Sequence, residues 1–227
     1  MIGFEHTVFD LAYKGFFDEI KRKVEDNRDV VFSKDSNERL LIHWASLGGF
    51  PQIVKYLIEM NSPVDSPDDI GMTPLILASS ANKLQVVELL IEKGANVNSQ
   101  NNEGHSSIQY AASKGWKQIL ELLIKNGADV NIMDKRRATP LHRAASKGDV
   151  GIINLLLSLG KNLDINVSDV YGNTPLHLAC EGNNFEAAKI LIQKGAQIDV
   201  KNKEEKTPLE LASFEVQKML KKVIEEK

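Results

Sequence analysis

Five histidines, one cysteine and 31 carboxylates are the residues that could carry chemistry in this 227-residue chain. Histidine beside a carboxylate is the material of general acid–base catalysis. Histidine with cysteine suits a metal site or an activated thiol. The spacing argues against each. His43, His142 and His177 all hold the fourth place of a recurring tetrapeptide, separated by whole multiples of a repeat. Stacked repeats advance by about 10 Å, the usual distance between packed helices, whereas a Zn–N bond is about 2 Å. These imidazoles therefore cannot share an ion, and each is expected to hydrogen-bond the neighbouring turn and brace adjacent units. Cys180 lies beside Ala179 at an alanine place of the repeat, which predicts a small buried side chain and not a nucleophile. Asp68-Asp69 lacks the twelve-residue calcium loop and reads as a solvated hairpin tip. No glycine-rich phosphate loop, His-Glu-x-x-His or serine-elbow pattern is present. No catalytic residue, metal ligand or cofactor is expected.

The elements that position these residues are periodic. Aligned to Thr139-Pro-Leu-His142, related tetrapeptides begin at His6, Leu40, Thr73, Ser106, Thr174 and Thr207. Successive starts are 34, 33, 33, 33, 35 and 33 residues apart. In the stretch Ala138–Gly148, Thr139 caps free N–H groups and Pro140 suits the first helical turn. Leu141, Ala144 and Ala145 form the apolar side, and Gly148 allows the turn out. A second helix follows with branched apolar clusters such as Ile119-Leu120 and Leu122-Leu123-Ile124. Gly-Ala-x-Val-Asn at Gly94 and Gly127 then stops that helix and leads into a turn. No unit can bury its apolar face alone, so neighbours must stack.

Period and motif together resemble the ankyrin repeat. The expected fold is an all-α ankyrin-repeat solenoid of seven helix-turn-helix units with β-hairpin loops. It forms a single domain over residues 1–227. The repeats span about 3–36, 37–69, 70–102, 103–135, 136–170, 171–203 and 204–227. Both end units depart from the motif as water-facing caps would, so the array is expected to be complete. Two extra residues fall within Gly160–Asp169 and are expected to be plain loop.

Composition narrows the function. The net charge of −3 gives no general pull toward nucleic acid or anionic membrane, and no apolar run is long enough to span a bilayer. The single cysteine fits a reducing compartment, and Met1–His6 has no signal-peptide character. A soluble cytosolic domain is expected.

What remains is surface. Ankyrin stacks bind through hairpin tips and the exposed side of the first helices. Arg39, Trp44, Leu47, Asp69, Met72, Leu77, His105, Tyr110, Lys114, Arg137, Arg143 and Lys147 are placed on that side, with Asp68 at a tip. Trp, Tyr and Arg are the types most often found as binding hot spots. Trp116, beside a turn, is expected to pack more than bind. Residues 64–103 hold six acids against two lysines, and residues 104–148 hold eight bases against three acids. That polarity would select and orient a partner.

Off-consensus residues carry a narrower resemblance. Leu11-Ala-Tyr-Lys-Gly15, Ile42-His-Trp-Ala45, Tyr110-Ala-Ala-Ser-Lys114, Gly172–Cys180 and Asn202–Leu209 resemble the gankyrin-like ankyrin proteins. These are assembly chaperones of the proteasome regulatory particle. The resemblance implies that the chain holds the C-terminal helical domain of a proteasomal ATPase subunit in its groove. Arg39, Trp44, Asp69 and Lys114 match contact positions of that group. Asn37 and Ser66 stand where its members carry acids. A retinoblastoma-binding Leu-x-Cys-x-Glu motif is incomplete at Leu178-Ala-Cys-Glu-Gly182, so that activity does not carry over. The alternative is a generic ankyrin adaptor or kinase-inhibitor-like interaction protein.

Overall fold

The structure is a computed structural model and describes residues 7–225. The leader reading of Met1–His6, and the His6 that opens the first tetrapeptide, lie outside the described residues. Contacts gather into two compact units, Met1–Ser107 and Ile108–Lys227.

The first unit contains α1 (Val8–Lys14), α2 (Phe17–Asp26), a 3₁₀ helix (Arg28–Phe32), α3 (Leu41–Gly48), α4 (Pro51–Glu59), α5 (Pro74–Ser80) and α6 (Leu84–Glu92). α1, α3 and α5 pack side by side, as do α2, α4 and α6, and each helix also rests on its hairpin mate. Branched residues fill the space between the rows. Ile20, Leu41, Ile42, Ile53, Leu57, Leu75, Ile76 and Leu90 are all fully buried. Where adjacent inner helices approach, Ala45 and Ala78 are also inaccessible.

The second unit repeats the plan with α7 (Ser107–Lys114), whose first residue marks the boundary, and α8 (Lys117–Lys125). It continues through α9 (Pro140–Lys147), α10 (Val150–Leu159), α11 (Pro175–Glu181) and α12 (Phe185–Gln193). It ends on α13 (Pro208–Leu211) and α14 (Phe214–Glu225). α9, α11 and α13 form the inner row, and α8, α10, α12 and α14 the outer one. Ile119, Leu120, Leu123, Ile152, Ile153, Leu156 and Leu191 are buried between them.

The Thr-Pro-Leu-His motif works as a capping box closed by histidine in place of the usual glutamate. Thr139 Oγ1 accepts the His142 N–H at 3.4 Å, and His142 Nδ1 accepts the Thr139 N–H at 3.1 Å. Thr174 and His177 repeat the exchange. In α3, Leu40 replaces threonine, and only the histidine half survives, with His43 Nδ1 accepting the Leu40 N–H at 3.0 Å. Gly148 ends α9 at φ 67°, a left-handed conformation that glycine adopts at little cost.

The loops between repeats are hairpin-shaped turns, not strand pairs. Among the described residues the sole bridge is Gln100 with Ser106. Each turn is shaped by one Asp or Asn side chain, which does the work a ladder would otherwise do. The extra residues of the fifth repeat are pinned: Asn131 donates from Nδ2 to the Asn162 carbonyl and accepts from the Asp164 N–H.

Candidate functional site

Asp35, Asp68, Asn101, Asp134, Asp169 and Asn202 occupy one register position, in hairpin after hairpin. In each, Oδ1 accepts the backbone N–H groups two and four residues on; for Asp68 these are Ile70 at 3.1 Å and Met72 at 2.7 Å. The same pair of bonds forms at Asp35, Asn101, Asp134, Asp169 and Asn202. This Asx turn folds the hairpin back so that residues beyond it reach the next helix. Neighbouring hairpins are stitched by single backbone bonds, such as Asp69 N–H to the Asn37 carbonyl and Lys203 N–H to the Tyr171 carbonyl.

The second side-chain atom of this register residue sorts the predicted site residues. Asp35 Oδ2 accepts the Trp44 indole N–H at 2.8 Å. Burial pushes the Asp35 carboxyl up, but hydrogen bonds from the Arg39 and Asn37 N–H groups and from Trp44 hold it below its ordinary value. Asp68 Oδ2 accepts Arg39 Nε at 2.9 Å, and the same guanidinium lies 5.3 Å from the Trp44 ring centroid. Tyr13 meets Trp44 edge-on. Asp134 Oδ2 accepts Arg143 Nη2.

Three expectations are corrected here. Asp68 is not a solvated tip: its side chain is fully covered and committed to Arg39 and the turn. Leu77 and Met72 do not line an open face, being only 4% and 6% exposed within the first unit. Their register positions, which carry Trp44 and Arg39 one repeat earlier, here simply fill the core. Arg39, Trp44 and Arg143 are on the predicted side but act first as internal braces, half-buried and paired.

The remaining predicted residues differ in access. Asp69, Lys114, Arg137 and Lys147 are exposed, whereas Leu47, His105, Tyr110 and Trp116 are half-buried. Arg137 adopts φ 59°, where three other hairpins carry Gly71, Gly104 and Gly172 and two carry Glu38 and Glu205 at φ 61° and 62°. Sequence reasoning missed two tip residues, Ile70 and Tyr171, which are 51% and 56% exposed. Both lie two residues after the register Asp, and that fixed offset from the turn is the signal that finds them.

The three repeat histidines and the cysteine serve the structure. The three histidines are buried, and Nε2 of each donates to a carbonyl of the following hairpin: Ser66 at 2.8 Å, Asn173 at 3.0 Å and Lys206 at 3.2 Å. Burial, the leading cause, holds all three below the usual imidazole value. They therefore stay neutral, with Nδ1 as acceptor and Nε2–H as donor. Gln109 fills the same place in its repeat and donates to the Ala138 carbonyl at 2.7 Å. Burial pushes the Cys180 thiol up to about 12, so it is inert. Among the described residues no group of three or more His, Cys, Asp or Glu is arranged to hold a metal ion.

In the second unit these hairpins and the inner helices α9 and α11 enclose a cleft of about 650 Å³. Its lining includes Ala138, Arg143, Lys147, Asp169, Tyr171 and Leu178. A mixed-charge recess of this kind suits side chains of a protein partner better than an apolar small molecule.

Comparison with known proteins agrees with this geometry. Two family models for ankyrin repeats match, one over residues 10–101 and 95–169 and another over 156–212. The 26S proteasome non-ATPase regulatory subunit 10 of mouse, and that of human, are each 39% identical over 67 residues. That match spans 30% of this chain and 29–30% of those relatives' length. The human ASB11 ankyrin repeat domain superposes with a TM-score of 0.86 at 26% identity, covering 96% of this chain and 98% of that one. The ankyrin repeat domain of Bcl-3 superposes with a TM-score of 0.82 at 21% identity, covering 96% and 99%. With the capping boxes, the Asx-turned hairpins and the family models in register along the chain, this protein belongs to the ankyrin-repeat family and is a protein-binding scaffold.

Proposed function

We propose that this scaffold is an assembly chaperone of the proteasome regulatory particle, binding the C-terminal helical domain of one ATPase subunit. The observation that carries this reading is the 39% identity over 67 residues to the 26S proteasome non-ATPase regulatory subunit 10. The exposed residues support a charge-guided mode of binding. Asp69 stands at an acidic tip, and Lys114, Arg137 and Lys147 stand at basic positions. Arg39, Trp44 and Asp68 hold the tips in place and contribute through that rigidity. Binding would cover the ATPase domain and block its premature docking on the core particle, in the cytoplasm and nucleus, with the free chaperone a monomer.

The test is affinity purification of the tagged full chain with mass spectrometry. A proteasomal ATPase should be the main partner. Recovery of kinases or other cargo in its place would overturn the chaperone reading in favour of a general adaptor. Charge reversal at Lys114 and Arg137 should then weaken ATPase-domain binding at least tenfold, about 1.4 kcal/mol. Arg39 is a poor choice for such reversal, because its loss strands the buried Asp68 carboxylate.

A further inference from the structure

Among the six register residues, Asp169 alone leaves its second side-chain atom without a partner among the described residues. Asp35 gives that atom to Trp44, Asp68 to Arg39, and Asp134 to Arg143. Asn101 directs its amide to Met72 Sδ, and Asn202 to Asn173 Oδ1. Asp169 Oδ1 is occupied, accepting the Tyr171 N–H at 2.8 Å and the Asn173 N–H at 2.9 Å. Oδ2 accepts no hydrogen bond from the described residues.

The repeat explains why. A guanidinium can reach this oxygen from two places in the fold. One is the residue four beyond the preceding register Asp, where Arg39 serves Asp68. The other is the helix residue nine beyond the register Asp itself, where Arg143 serves Asp134. For Asp169 those two places hold Ala138 and Leu178. Both are apolar, and neither can donate. Both also line the cleft that Asp169 lines. The recess therefore lies where an arginine of the chain would otherwise lie.

We propose that this cleft is a seat for an arginine side chain of the protein partner, with Asp169 Oδ2 accepting its guanidinium and Ala138 and Leu178 flanking the stem. The proposal deepens the scaffold reading and depends on a protein partner, but not on that partner being an ATPase. Arginine suits the place because its planar fork pairs well with a half-buried carboxylate while its methylenes lie on apolar walls. Arg136, Lys147 and Lys203 line the cleft with no ion pair among the described residues, and Glu181 and Glu204 line it too, so acidic residues beside the arginine would meet the bases while the arginine meets Asp169.

The chain supplies its own control. Asn101 and Asn202 make the same turn as Asp169, so Asp169→Asn keeps the hairpin and removes only the charge. The probe is the peptide acetyl-Glu-Arg-Glu-amide, compared with its citrulline counterpart by amide NMR titration of the full chain. The arginine peptide should shift the Tyr171 and Asn173 amides and bind about tenfold tighter than the citrulline one. Asp169→Asn should abolish that preference. Equal binding of the two peptides, or an unchanged preference in Asp169→Asn, overturns the seat.

A second measurement needs no ligand. Leu178→Arg places a donor where Arg143 serves Asp134, so it should raise the melting temperature more with Asp169 present than in the Asp169→Asn background. Equal effects in both backgrounds overturn the proposal. Neither measurement uses an ATPase, so a failed ATPase capture leaves both valid.

Discussion

Asp68 and Asp169 hold the same place in their hairpins, and their surroundings differ. At Asp68 the turn, the arginine of the preceding hairpin and the ring of Trp44 form one closed corner, with the carboxylate out of water. At Asp169 the turn is the same, but both arginine positions are apolar and the corner opens into a cleft. One residue type in one backbone setting thus serves as a brace in one repeat and is left available in another. In a repeat protein the scaffold is set by what recurs, and function is sought where a recurring contact has been withdrawn.

The comparison breaks most visibly at Asp68. Asp68→Ala removes two turn hydrogen bonds and leaves Arg39, itself only 19% exposed at its side chain, without its partner. Breaking a buried pair from one side costs roughly 3 kcal/mol. A urea titration should show that loss as a lower midpoint. A midpoint within error of the parent would mean that the corner is not closed in solution.

Next in size is a pH effect carried by the histidine braces. His43, His142 and His177 have their proton affinity lowered in the fold, first of all by burial. In the unfolded chain they titrate near the ordinary imidazole value of 6.5. Between the two values the unfolded state binds more protons, so stability rises with pH there. The contribution is fully present above about pH 6.5 and is lost as pH falls toward the folded values. His142→Gln should flatten that slope while keeping the brace, since Gln109 already donates to the next hairpin without titrating. Denaturation midpoints from pH 5 to pH 8 check both statements; a slope unaltered by His142→Gln would remove His142 as a source.

Much of this was legible beforehand, and the reasons are physical. Helix caps, alanine contacts and the inter-repeat role of histidine depend on local residue types at fixed spacing, so they could be read from Thr139–Gly148 alone. The division of the surface residues could not. Whether Arg39 or Asp68 faces a partner depends on a contact 29 residues away, and each looks like a charged tip in isolation. Leu77 and Met72 read as surface residues because their register neighbours Trp44 and Arg39 carry polar atoms that pair near the surface. Ile70 and Tyr171 are exposed at tips although their side-chain types suggest core. The hairpins contain fewer strand contacts than the repeat implies, since the Asx side chain replaces most of the ladder.

A smaller effect should appear at Arg137, and with the opposite sign. Its φ of 59° lies in the left-handed region, where Gly71 and Gly172 stand in other hairpins at 80°. A non-glycine residue there costs about 1–2 kcal/mol. Arg137→Gly relieves that cost but adds freedom to the unfolded chain, for a net gain of roughly 0.5–1 kcal/mol. Thermal unfolding should show the variant as the more stable protein. If the same variant also binds its partner less well, the strained arginine is held at the tip for recognition. Lower stability would mean that the side chain makes contacts that outweigh its backbone strain.

Smallest of all should be Asp169→Asn, and its smallness is the point. The turn bonds go through Oδ1, which asparagine retains, and Oδ2 has no donor to lose. Surface changes away from caps and cores usually stay within about 0.5 kcal/mol. At Asp68→Asn, by contrast, the lost charge faces Arg39 at 2.9 Å in a covered site. The two substitutions are chemically identical and sit in equivalent turns, so their difference in unfolding free energy isolates the arginine contact from the turn itself. A cost at Asp169 equal to that at Asp68 would show that the carboxylate is serving the fold, and the open corner would have to be reclassified as a closed one.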